Sequence, residues 1–377
     1  SQASLLRGFT PHQLGFYVKA ILDTEKRRTL VEGLREISRD LPDPVLPREE
    51  VVKAVERRGP SRVPLVRGKW WGEGLPQEYG ERLEGFARFP EDVVQLWLDP
   101  TPFYRMGLSW ELPQSGAYDN RPILDDWAKL DELIEKLPDP ESDGQLEWMV
   151  EATEDARRAG YYVLFGWWQL FFEKPWEIRG MENIMLDYYS EPDKVMRLHR
   201  ALADQYLGYI RRAGRLFQPD GFFTSDDLGH QTGPMIGPKT FHEFMLPFYA
   251  EIGEALREYR MHFWLHSCGD NTEIMEDLIE IGLDVLNPVQ PGVPGHEPSE
   301  LKAQFGSELS FWGGIDQQQM LPMGTPEEID ADVQAKIKAL GPGGGYMVAP
   351  AHILQGDTPV ENVEAFIAAA KRHGAYT

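Results

Sequence analysis

The chain has 377 residues, 42% of them hydrophobic and 26% charged, an ordinary globular composition with length enough for one large barrel or two average domains. Its 38 Lys and Arg stand against 61 Asp and Glu. The resulting formal charge of −23 disfavours nucleic acid as a partner and repels polyanionic small molecules unless local cations overturn the field. A single cysteine excludes an intramolecular disulfide, no apolar run approaches the ~20 residues of a membrane span, and Ser1-Gln2-Ala3 opens no signal peptide, so a cytoplasmic protein without membrane contact is expected.

Residues from about 10 to 58 read as helices ahead of the first strand, giving a helical extension over residues 1–60. From 61 to 377, short β-rich apolar runs end in Gly, Pro, Asp or His, and each is followed by a helical pattern, the signature of parallel βα units. Strands are expected at 62–68, 93–99, 161–167, 221–226, 261–268, 285–290, 309–315 and 346–352. Eight such strands suit a closed (β/α)8 TIM barrel, an α/β fold. The stretch from about 100 to 160 is too long for one crossover and is expected to be an insertion, with a small hairpin at 109–118 and helices at 124–137 and 145–159. Later helices are expected at 238–259, 273–282, 325–340 and 359–373. Thr325-Pro326-Glu327-Glu328 carries a cap, a first-turn proline and an acid at the third helical position; Thr358-Pro359-Val360-Glu361 repeats the pattern. Gly282, Gly341 and Gly374 sit where helices would stop.

Catalytic groups of such a barrel come from the C-terminal ends of its strands. The fifth strand ends in His266-Ser267-Cys268-Gly269, the fourth in Ser225-Asp226-Asp227-Leu228-Gly229-His230, and the eighth in Ala349-Pro350-Ala351-His352. His266 and Cys268 are two apart on a strand, so their side chains share a face, and a third ligand from another strand end completes a tripod. His352 is the best candidate; His230 and Asp227 are the alternatives. Imidazole and thiolate suit Zn2+, and three protein ligands leave a fourth position open for a substrate group. The bland alternative makes Cys268 a small buried hydrophobe and His266 a core histidine. Of Asp226 and Asp227, adjacent after an apolar strand, only one can point inward. Trp70 and Trp71 after the first strand, and Trp167 and Trp168 after the third, either wall a substrate pocket or pack the core. His230, Asn287, Gln290, Asp316 and Gln317 can hydrogen-bond a substrate. The glycines from 341 to 345 precede their strand rather than follow it, which argues against a phosphate loop.

The stretch from Trp264 through His266, Cys268 and Gly269 to Asn271, continued by Gly282, Asp284, Asn287 and Gln290, closely resembles the uroporphyrinogen decarboxylase superfamily, and within it the zinc-dependent cobamide methyltransferases. The resemblance runs on through Phe311-Trp-Gly313-Gly314-Ile315-Asp316, Leu321-Pro-Met-Gly324-Thr-Pro326 and Gly343-Gly-Gly-Tyr346-Met-Val-Ala-Pro350-Ala-His352. It covers roughly residues 215 to 374, and the first half only faintly. In that branch the His and Cys of a His-x-Cys motif, with a second Cys near the end of the last strand, bind zinc. Here the first two correspond to His266 and Cys268, while His352 stands where the second Cys would be, giving a His2Cys set. The resemblance also favours Asp227 as the inward acid, to orient a ligand or act as a base, and hints at a homodimer. No Asp-x-His-x-x-Gly cobalamin signature occurs, so any corrinoid would arrive on a partner protein or as a free cofactor.

The leading expectation is therefore a zinc-dependent methyltransferase or demethylase acting on a small substrate or methyl-corrinoid. Metal-free decarboxylation of the uroporphyrinogen type is the alternative, but it needs arginines near the first strand, where the chain offers only Arg67 and Lys69. A barrel that binds a ligand or corrinoid without turnover is the third.

Overall fold

The computed structural model describes residues 45–66, 91–102, 122–352, 354 and 356–375. Apolar runs rich in aromatic and β-branched residues form strands close to where the pattern placed them. These are β1 (Val93–Trp97), β2 (Tyr162–Trp167), β3 (Gly221–Ser225), β4 (Gly229–His230), β5 (Gly233–Pro234), β6 (His262–His266), β7 (Leu283–Val289), β8 (Ser310–Ile315) and β9 (Tyr346–Pro350). Seven of them make one sheet in the order β1-β2-β3-β6-β7-β8-β9, and β4 and β5 form a separate antiparallel ribbon.

Backbone proximity divides the chain into two units. One comprises Leu98–Glu147 and Gly166–Leu283. Within it β3 and β6 run parallel in unbroken register, from Gly221 opposite His262 to Ser225 opposite His266. The long helix Pro192–Leu216 starts with proline in its first turn, where the missing N–H has no helical partner to lose. It buries Val195, Leu198, Leu202, Tyr206 and Tyr209 at three- and four-residue spacing, and it packs on Leu246–Glu258. Each such burial contributes roughly 1.5–3 kcal/mol over exposure. The expected single helix over 238–259 is two, Pro238–Phe244 and Leu246–Glu258. Pro247 explains the break, because it donates no N–H and restricts the residue before it. In the insertion, the side chain of Asp126 accepts from Ala128 N–H at the 3-10 turn Trp127–Lys129, which leads into Leu130–Glu135. The hairpin expected at 109–118 lies outside the described residues.

The other unit comprises Ser1–Trp97, Trp148–Phe165 and Asp284–Thr377. Here β7 pairs with β8 and β8 with β9, all parallel. The helix Pro326–Leu340 carries the expected capping box: Glu328 N–H donates to Thr325 Oγ1 and Thr325 N–H to Glu328 Oε2. The second expected cap does not form. Helix Val360–His373 starts one residue later than the pattern placed it, with Pro359 at its N-cap and Thr358 buried one position too early. Of the three expected stop glycines only Gly282 adopts a positive φ, +103°.

Among the described residues, the closed eight-stranded barrel expected from the sequence is seen as a seven-stranded sheet, and residues 67 and 68 of the expected first strand lie outside them. Residues 62–66 supply only isolated bridges, Leu65 to Val348 in parallel and Arg62 to Ala375 antiparallel. Val348 N–H donates to Pro64 O and Val66 N–H to Val348 O, while Asp92 N–H donates to Leu65 O. Pro64 has no N–H to give the ladder, which shortens the pairing. The buried carboxylate of Asp92 fastens this segment, accepting from Leu46 N–H, Leu65 N–H and both terminal nitrogens of Arg62 at 2.7–2.8 Å. Of the expected N-terminal helices, Arg48–Val55 is present, and the remainder of that extension lies outside the described residues. No helix among the described residues is long and apolar enough to cross a membrane.

Candidate metal centre

The alternation of β6 places His262, Trp264 and His266 on one face and the fully buried Phe263 and Leu265 on the other. Beyond His266 the chain turns sharply, and the turn is held by its own polar groups. Asn271 Nδ2 donates to Ser267 O and Gly269 O, and Ser267 Oγ accepts from Leu228 N–H. Gly269 is required here. Its φ is +80°, and a Cβ on it would lie 2.3 Å from the carbonyl carbon of Gly229. The loops after β3 and β6 thus touch backbone to backbone, and Asp270 N–H donates to His230 O at 2.7 Å.

This contact sets the geometry of the polar cluster. Cys268 N–H donates to Asp227 Oδ1 at 2.9 Å, Cys268 Sγ lies 3.4 Å from His266 Nε2, and Asp227 Oδ1 lies 3.7 Å from that nitrogen. His266 and Cys268 thus stand together in one unit, and His352, the third expected ligand, follows β9 in the other unit, half-buried. Zn–S and Zn–N bonds of about 2.3 and 2.05 Å at a tetrahedral angle separate sulfur from nitrogen by about 3.6 Å. The 3.4 Å between Cys268 and His266 is close to that, so this pair fits zinc in chemistry and in spacing.

Asp226 and Asp227 divide their roles as alternation requires. Asp226 is fully buried and accepts four donors: the N–H groups of Phe171, Phe172 and Glu173, and Tyr249 Oη. Burial outweighs those bonds and lifts its carboxyl to about 6. Its work is to hold the chain after β2. Asp227 faces the Cys268 turn with its side chain about a third exposed.

Glu173 is a site residue the sequence did not single out. It opens the helix Glu173–Arg179, and its carboxylate accepts from Ser225 Oγ. Burial, then the charges of Asp227 and Asp226, raise its carboxyl well above the usual range. The signal that could have found it is an acid placed at a helix start just past an apolar strand end. Cys268 is affected likewise: burial first, then Asp227 and Glu173, push its thiol up, so the thiol keeps its proton in the absence of a cation.

The two tryptophans after β2 differ. Trp167 is core, packed on Tyr206, Tyr209 and Phe222. Trp168 stands edge-on to the His266 ring at 5.5 Å, followed by Gln169 at φ +72°. His230 is exposed, and its Nδ1 accepts from Thr232 N–H, outside the ligand group. Asn287 is buried and donates to Trp312 O; Gln290 N–H donates to His296 Nδ1; Asp316 Oδ1 accepts from Gln318 and Gln319 N–H. Asn287 and Asp316 are thus engaged with backbone. Trp70 and Trp71 lie outside the described residues.

A mostly parallel α/β sheet with acids, histidines and a cysteine past its C-terminal strand ends has the layout of barrel-type enzymes. The sequence pattern of the uroporphyrinogen decarboxylase (URO-D) family matches residues 83–373, and the chain belongs to that family, whose members are enzymes. It is 25% identical over 197 residues to a methylated-thiol–coenzyme M methyltransferase of Methanosarcina mazei, a match covering 52% of this chain but only 49% of that protein. It is 24% identical to the uroporphyrinogen decarboxylase of Magnetococcus marinus, over 86% of this chain and 96% of that protein. Among solved structures, a methyltransferase from Methanosarcina mazei superimposes with a TM-score of 0.62 at 14% identity, over 88% of this chain and 99% of that one, which shows a shared fold.

Proposed function

We propose that this protein is a zinc-dependent methyltransferase or demethylase of small substrates, with His266, Cys268 and His352 as the metal ligands. The observation that carries this reading is the pairing of Cys268 Sγ with His266 Nε2 at 3.4 Å, and His352 just past the end of β9 supplies the third donor on the sequence pattern. Zinc in a three-ligand set keeps one position open and lowers the pKa of a thiol or water bound there. Asp227 fixes the Cys268 turn through the N–H of Cys268, and its partly exposed carboxylate beside the ligand pair would serve as the base for a substrate proton. Glu173, its carboxyl raised well above the usual range by burial and by Asp227 and Asp226, is the acid of this cluster that resists ionising. Trp168 gives His266 an apolar neighbour that limits water. On this reading the methyl group comes from a corrinoid, carried by a partner protein or supplied as a free cofactor.

Metal-free decarboxylation is favoured by the longer span of the decarboxylase relatives. It requires arginines free to hold substrate carboxylates, whereas Arg62 and Arg179 are committed to Asp92 and Asp187. Calorimetry with a small thiol in two buffers of different ionisation enthalpy separates the readings. About one proton released per site near neutral pH is expected of a metal-held thiol. Binding without proton release, or no binding, removes the thiol-activating role.

A further inference from the structure

At the opposite end of β9 from His352, five residues and about 17 Å of strand away, two cations lie side by side. Arg57 follows the helix Arg48–Val55 in the left-handed region, at φ +58°. Its N–H bonds Ala54 O and that of Arg58 bonds Lys53 O, so Arg57 fills the helix-terminating position that normally belongs to glycine. An arginine is held there against the backbone preference, and its guanidinium Nη1 reaches Val55 O and Ser310 Oγ, both at 3.0 Å. Lys302, on the helix Pro298–Phe305, donates through Nζ to Gly344 O at 2.7 Å.

Glycine makes the room. Gly343, Gly344 and Gly345 all have positive φ, and a Cβ on Gly345 would lie 2.9 Å from Arg57 Cγ and 3.4 Å from both Lys302 Nζ and Ser310 Oγ. In a chain with 61 carboxylates, neither cation makes an ion pair among the described residues. Asp284, Glu56 and Glu308 act on Arg57 only through space. Burial lowers both cations from their usual values, and the charge of Arg57 lowers Lys302 further, so a bound anion would be stabilising.

We infer that Arg57 and Lys302 form a binding site for a phosphate-class oxyanion, walled by Ser310 and the Gly343–Gly345 turn. The remaining nitrogens of the guanidinium and the free ammonium protons match the several acceptor oxygens of a dianion. This site does not depend on the proposed metal chemistry.

The test is a titration of the full-length protein with inorganic phosphate, by calorimetry and thermal melting, against chloride at equal ionic strength. Lys302→Met keeps the apolar stem, and Arg57→Gly removes the guanidinium while relieving the left-handed backbone. Saturable, phosphate-specific binding is expected in the parent, weakened about tenfold or more in each variant with unchanged metal content. A parent that responds to phosphate no more than to chloride, or variants that bind phosphate as the parent does, would overturn the assignment.

Discussion

Replacing Gly269 with alanine tests whether the backbone contact between the loops after β3 and β6 holds the site together. Two penalties add. The left-handed φ of +80° disfavours any Cβ by about 1–2 kcal/mol. The new carbon would also lie 2.3 Å from Gly229 C and 2.5 Å from Gly229 O and His230 N, so one loop must retreat by about 1 Å, at a further 1–3 kcal/mol. A retreat of that size breaks the 2.9 Å bond from Cys268 N–H to Asp227. Gly160 is the control, because its φ is +87° and nothing lies within 4 Å of a Cβ there. Gly160→Ala should therefore lose only the backbone part, about 1–2 kcal/mol, and leave metal affinity unchanged. Urea denaturation followed by several probes, with chelator competition for metal affinity, reads both effects. Equal destabilisation of the two variants within about 0.5 kcal/mol, with metal affinity intact in each, refutes the reasoning.

Metal-free protein should lose stability as pH rises from about 4 through 6. Asp226 has its folded-state carboxyl raised from 3.8 to about 6, so its contribution is present below pH 3.8 and lost through the folded value, up to ~3 kcal/mol; Glu173 acts in the same direction. Glu173→Gln should flatten that pH profile, and an unchanged slope would contradict the placement of Glu173. Trp167→Ala should destabilise the fold by about 3–5 kcal/mol, whereas Trp168→Ala should spare stability and raise KM; equal melting temperatures for the two would show that the division between core and site is wrong.

The strands and the polar strand ends were legible because parallel strands buried on both faces read as apolar runs, and residues at their ends are free to carry other chemistry. His266 and Cys268 were visible as a pair two residues apart at a strand end, although the strand stops at His266 and Cys268 sits in the turn beyond it. What stayed hidden depends on partners distant in sequence. Alternation said that one of Asp226 and Asp227 turns away from the site, but the row of N–H groups at Phe171 to Glu173 that holds Asp226 comes from another strand end. Glu173 escaped notice for the same reason, since its neighbours Ser225, Asp226 and Asp227 are some fifty positions on. The first strand was overread because Pro64 shortens a ladder that the apolar pattern alone suggests. Asn287 and Asp316 have side chains suited to a substrate, yet their bonds go to the backbone of Trp312 and of residues 318 and 319.

The central claim is tested most directly by the zinc content of the purified protein and of two single variants, His352→Ala and Cys268→Ala, measured by elemental analysis after exhaustive dialysis. One zinc per chain is expected in the parent and a comparable, severe loss in both variants, with His352→Cys regaining the metal. A parent without stoichiometric zinc, or a His352→Ala protein that retains it in full, would show that these residues do not form a zinc centre.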